Sequence, residues 1–130
     1  MGNERRFINS GSPWEELAGY SRAVVEGNFI FVSGTIGMNL KTMTMPEDAQ
    51  AQTELALDTI EAALRAAGAN LLDVVRVRVY IPQRADVAAV SSVLKKRLGA
   101  ARAANTTVCS PLAVESARVE IEVTAMRHSP

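Results

Sequence analysis

The chain has 130 residues, 48% apolar and 22% charged, with 14 basic against 14 acidic side chains and a net charge of +0. That composition fits one domain over residues 1–130 with a self-sufficient core and excludes disorder along the whole chain. The charge balance argues against an extended nucleic-acid surface, which needs excess Lys and Arg to displace counterions.

Residues Arg5 to Ser10 read as a short edge strand, followed by a turn at Ser10-Gly-Ser-Pro13. Trp14 is expected in a loop, pinned by its indole. Tyr20–Glu26 and Asn28–Ser33 form a predicted hairpin around Glu26-Gly27-Asn28. Its second strand carries the continuous run Phe29-Ile30-Phe31-Val32 and ends at Ser33-Gly34, where glycine allows a bend or a close ligand approach.

An irregular stretch from Gly37 to Met45 contains Met38, Met43 and Met45, read as loop packing. Pro46 is placed in the first turn of a helix, with Glu47 and Asp48 near its positive end. Thr53, Ala56, Leu57, Ile60, Leu64 and Ala67 recur at helical spacing, and Gly68 supplies the stop.

Leu72–Ile81 is a predicted strand with Val75, Val77, Val79 and Ile81 on one face and Val74, Arg76, Arg78 and Tyr80 on the other. A second helix over Asp86–Leu98 turns Val87, Val90, Leu94 and Leu98 inward and leaves Lys95, Lys96 and Arg97 as a solvated end. Asn105–Ser110 reads as a short strand. Arg118–Met126 alternates strictly, with Val119, Ile121, Val123 and Ala125 opposite Glu120, Glu122, Thr124 and Met126.

The order β-β-β-α-β-α-β-β predicts an α+β fold, one mixed sheet with both helices on one face. No internal repeat or linker interrupts it. The far face then carries Arg76, Arg78, Tyr80, Glu120 and Glu122. Two readings of that face stand open: a solvated sheet with cross-strand ion pairs, or a surface packed against a symmetry mate with polar groups at the rim.

One cysteine, Cys109, permits no intrachain disulfide and reads as a small buried or half-buried thiol. With His128 the one histidine, no zinc ligand set is expected. The N-terminal residues lack an apolar signal core, and no apolar run approaches the ~20 residues of a membrane helix. A cytoplasmic protein without membrane association is the expectation.

Four segments in register carry a resemblance: Gly19-Tyr20-Ser-Arg-Ala-Val-Val-Glu-Gly27-Asn28, Val32-Ser33-Gly34-Thr-Ile-Gly37, Ala67-Gly68 through Asp73-Val-Val-Arg-Val-Arg-Val-Tyr80, and Ala103-Ala-Asn-Thr-Thr-Val108 with Arg118-Val-Glu-Ile-Glu-Val-Thr-Ala125. Over about Tyr20 to Arg127 the chain resembles the RidA/YjgF family, also labelled endoribonuclease L-PSP or translation-initiation-inhibitor-like. The resemblance implies a chorismate-mutase-like domain, a homotrimer with a central barrel, and ligand clefts between subunits. It implies a small-molecule metabolite as partner, possessing a carboxylate in active members, and no metal or cofactor. Those members hydrolyse enamine or imine intermediates to a 2-keto acid and ammonia.

By position, the family's catalytic glutamate matches Glu120, its tyrosine Tyr20, and its serine-glycine pair Ser33 and Gly34. The cleft arginine that grips the substrate carboxylate falls on Asn105, which cannot replace a guanidinium as a charged clamp. Thr107 shares the predicted strand face of Asn105 and adds a hydroxyl. Arg22, Arg76 and Arg78 are candidates to supply the missing cation. Three functions follow: a RidA-like hydrolase or deaminase with altered substrate preference, a non-catalytic small-molecule-binding trimer, or an endoribonuclease or translation inhibitor. Zero net charge and few aromatics weigh against the third.

Overall fold

A computed structural model describes residues 4–128. Six strands form one sheet in the order β1-β2-β3-β6-β4-β5. They are β1 (Arg6–Ile8), β2 (Ala23–Glu26), β3 (Phe29–Ile36), β4 (Val74–Ile81), β5 (Ala104–Cys109) and β6 (Glu120–Met126). Neighbours run antiparallel except β4 and β5, which are parallel. The long helices α2 (Ala49–Ala66) and α3 (Val87–Leu98) pack on each other, and α2 also packs on β3 and β6.

The core lies between these helices and one sheet face. Ile30, Val32, Val77, Val79, Ile81, Ile121 and Val123 from the sheet meet Leu57, Ile60, Leu64, Val90, Val93 and Leu94 from the helices. Each set follows its own period, 2 for the strands and about 3.6 for the helices, so each element buries one face. This is the predicted α+β mixed sheet with both long helices on one side.

Several expectations need correction. Trp14 sits in a short helix, α1 (Pro13–Ala18), not in a loop. Ser12 caps it, Pro13 opens it, and Glu15 and Glu16 occupy its first turn, all favourable at a positive helix end. Helix α2 begins at Ala49, with Asp48 extended before it, so Pro46 lies upstream of the helix. The Pro46 carbonyl accepts a hydrogen bond from the buried Gln52 amide.

Residues Leu71–Asp73 form a helical turn before β4. A register shift between Val74 and Arg76 then puts Val74 in the core and leaves Val75 exposed, against simple alternation. In α3, Val93 is buried where Val87 is only half-buried. Arg97 is not part of a solvated end: its guanidinium binds Glu54, Asp58 and Glu61 of α2.

The far sheet face also differs from the charged surface expected. Phe29 and Phe31 alternate with buried Ile30 and Val32, so both rings stand on the outer face, stacked at 6.1 Å and more than two-fifths exposed. Met126 and Val75 are exposed as well. The face is therefore apolar at one end and polar at the other, where Arg78 faces Glu122 at 3.6 Å and Tyr80 donates to Glu122. No helix of the described residues is long and apolar enough to cross a membrane.

Candidate functional site

The functional side chains gather where β3 ends and β6 begins. Strand β3 breaks register with β6 between Val32 and Thr35, at the Ser33-Gly34 pair. Beyond the break Ile36 pairs with Glu120, which lies opposite buried Ile121 in alternation. Gly34 is needed here for closeness. A Cβ at that position would lie 2.6 Å from the Glu120 carboxylate oxygen Oε2, inside any real contact.

Glu120 lies on the wall of a cavity of about 270 Å³ that also touches Tyr20, Arg22, Gly34 and Thr35. The rest of the wall is mainly apolar, with Trp14, Ile36, Met38, Leu40 and Val114. Among the described residues the Glu120 carboxyl makes no ion pair and no hydrogen bond. Burial holds its carboxyl above the ordinary glutamate range; the Arg22 charge opposes that rise and the Glu122 charge adds to it. A half-buried carboxyl without partners, poised upward, suits proton transfer to or from a small ligand or a water.

Arg22 is buried, at 5% exposure, and tightly held. Its Nε donates to Glu15 Oε2 at 3.0 Å, and its Nη1 donates to the Gly34 carbonyl at 2.7 Å and the Thr35 hydroxyl at 3.0 Å. The guanidinium also lies 5.6 Å from the Tyr20 ring centre. Glu15 in turn accepts from the Ser10 backbone N–H and hydroxyl. Helix α1 thus places Glu15 against Arg22, a helix and a pair that the sequence expectations lack. The signal was present: Ser12-Pro13 followed by two acids is a helix start.

The remaining candidates separate. Ser33 is half-buried beside the break, but its hydroxyl donates to the Ser21 carbonyl. Arg78 is engaged with Glu122, and Arg76 is exposed on β4 with no ion pair among the described residues. Asn105 and Thr107 sit opposite Val77 and Val79 in the parallel β4–β5 register, hence on the helix-side face. Thr107 Oγ1 donates to Asn105 Oδ1 at 3.0 Å. Glu120 is on the other face and two strands away. One chain therefore does not bring Asn105 and Glu120 together.

Every residue of β5 is exposed, because the strand lies at the sheet edge outside the cover of the helices. Cys109 is exposed with it, not buried as expected. Met38, Met43 and Met45 line a surface hollow beside Pro82 and Arg118.

The model of the family described as endoribonuclease L-PSP matches residues 12–127. The chain belongs to this family. A relative from Dermatophagoides farinae named 2-iminobutanoate/2-iminopropanoate deaminase is 35% identical over 121 residues, 91% of this chain and 93% of that one. A solved Mycobacterium tuberculosis structure, described as a member of the YjgF/YER057c/UK114 family, superposes with a TM-score of 0.87 at 38% identity, covering 95% of this chain and all of the other. RidA from an Antarctic Psychrobacter gives a TM-score of 0.85 at 30% identity over 94% of this chain and 99% of that one. Membership of the RidA/YjgF family and its fold, both expected from the four segments, are thereby established.

Proposed function

We propose that the protein is a cofactor-independent hydrolase of small imines or enamines, working as a homotrimer in the cytoplasm with its sites between copies. The observation that carries this reading is Glu120: a half-buried carboxyl, raised by burial, unpaired, and set against Gly34 in a cavity. Such a group takes a proton from water as the water adds to an imine carbon. It then returns a proton to the departing nitrogen, so that an imine and water become a carbonyl compound and ammonia. Tyr20 and the backbone beside Gly34 orient the ligand.

Two exposed surfaces support assembly with further copies. The outer sheet face presents Phe29, Phe31 and Met126 to solvent, an apolar patch that a partner copy would cover. The edge strand β5 presents Asn105 and Thr107 outward, free to complete the Glu120 cavity of a neighbouring copy. Of Arg22, Arg76 and Arg78, Arg22 alone lies on the wall of that cavity, and its charge is already paired with Glu15.

A second reading, binding without catalysis, is favoured by the Asn105–Thr107 hydrogen bond, which offers neutral polar groups in place of a charged clamp. Imines released by an oxidase, with and without a carboxylate, separate the two. Ammonia release above the buffer rate, lost in Glu120→Gln, supports hydrolysis. Binding with no acceleration for any imine supports the second reading. RNA cleavage would have to survive repurification and vanish with Glu120→Gln to displace both.

A further inference from the structure

We infer that the Glu120 cavity takes a ligand with an uncharged polar head, a carbonyl, amide or imine on a short apolar body, and not a carboxylate. This rests on the reading of that cavity as the ligand site and names the substrate class it admits.

The charges on the wall come first. Arg22 and Glu120 are the charged side chains lining the cavity among the described residues. Glu15 neutralises Arg22 from behind at 3.0 Å. With Glu120 ionised the group carries a net single negative charge; with Glu120 protonated it is neutral. Nearby Arg78 and Glu122 cancel each other. Asn105 and Thr107, offered by a neighbouring copy, add no charge. A ligand carboxylate would therefore enter beside Glu120 without an unpaired cation to receive it, and an uncompensated buried charge is strongly disfavoured.

The donors come second. A guanidinium has five N–H donors. Arg22 commits Nε to Glu15 and Nη1 to the Gly34 carbonyl and Thr35 hydroxyl. Its Nη2 has no partner among the described residues. Nor is Nη2 sealed off: the side-chain atom found both fully buried and unpartnered is Arg127 Nε. Arg22 lines both this cavity and an adjoining hollow walled by Ile8, Asp58 and Thr59, and Nη2 is open to that combined space. Because Glu15 already balances its charge, Arg22 acts there as a fixed hydrogen-bond donor for a neutral acceptor. The body of the ligand then lies against Trp14, Ile36, Met38, Leu40 and Val114, a wall that rewards apolar atoms.

The test uses two probes of matched shape, 2-oxobutanamide and 2-oxobutyrate, titrated at neutral pH into the intact protein. Binding is read from the backbone amide resonances of Gly34 and Thr35. The amide is expected to bind about ten-fold or more tightly than the acid, as one charge-dependent contact decides between them. Equal or tighter binding of 2-oxobutyrate at these resonances overturns the inference and leaves the cavity as the ligand site. Failure of both probes to move them in the millimolar range overturns the site reading and the inference with it.

Discussion

Replacing Glu15 by Gln is the sharpest perturbation of the site's foundation. Glu15 and Arg22 are each about 5% exposed. The carboxylate receives Arg22 Nε and the Ser10 hydroxyl on Oε2 and the Ser10 backbone N–H on Oε1. A glutamine has one acceptor oxygen and one donor nitrogen, so at least one of these donors must face another donor. Its loss also leaves Arg22 buried without a counter-charge. Breaking one side of a buried pair costs about 3–5 kcal/mol. At about 2.1 cal/mol/K of unfolding entropy per residue, that lowers Tm by ~10–18 °C in a chain of this length. Calorimetry at a fixed protein concentration measures it, with Glu16→Gln, on the exposed side of the same helix, as the control. A loss below about 1 kcal/mol, the range of exposed pairs, would refute the claim that α1 holds Arg22 in place through a desolvated contact.

Three further outcomes are expected. Gly34→Ala forces the Glu120 carboxylate to move roughly 1 Å, because an added Cβ overlaps Oε2 at 2.6 Å; steady-state kinetics should show about a 100-fold loss of turnover with little change in Tm, since the clash is with the end of a side chain. Glu120→Gln should raise Tm at neutral pH: burial lifts the folded pKa, so the protonated form is the one the fold favours, and that stabilisation is complete below the unfolded value and lost as pH rises through the folded one. Arg22, Glu122 and Tyr80 face the same carboxyl, and the advantage of the variant should vanish in acid, which a series of melts across pH checks. Gln52→Ala removes an amide, 1% exposed, that binds the Pro46 and Ser116 carbonyls and the Arg118 N–H, and urea unfolding should report a loss of about 3 kcal/mol.

Periodicity made most of the fold legible. Alternation in β6 and the helical spacing of Thr53 to Leu64 assign buried and exposed faces correctly. Gly27 and Gly68, both at positive φ, mark a turn and a helix stop where only glycine is comfortable. What periodicity could not carry was strand order. That β5 runs parallel to β4 at the edge decides the face on which Asn105 lies, and nothing local to Asn105 records it. The bulge after Val74 similarly inverts the faces of two residues without a sequence mark.

Other misses had signals. The acids Glu54, Asp58 and Glu61 form a stripe on one face of α2, and that stripe is what holds Arg97. Phe29 and Phe31 are two apart, so one face of β3 had to carry both rings. The pairing of Glu15 with Arg22 is tertiary, set by where the α1 turn returns to the sheet, and the sequence names the partners without joining them.

The central claim is that Glu120 of one copy works with β5 of another. Glu120→Gln chains and Asn105→Trp chains, each inactive alone, are unfolded together, refolded as mixed oligomers and assayed for imine hydrolysis. If sites are shared, about one quarter of them combine an intact Glu120 with an intact Asn105, and activity returns to about one quarter of wild type. A mixture as inactive as its parents would contradict the account.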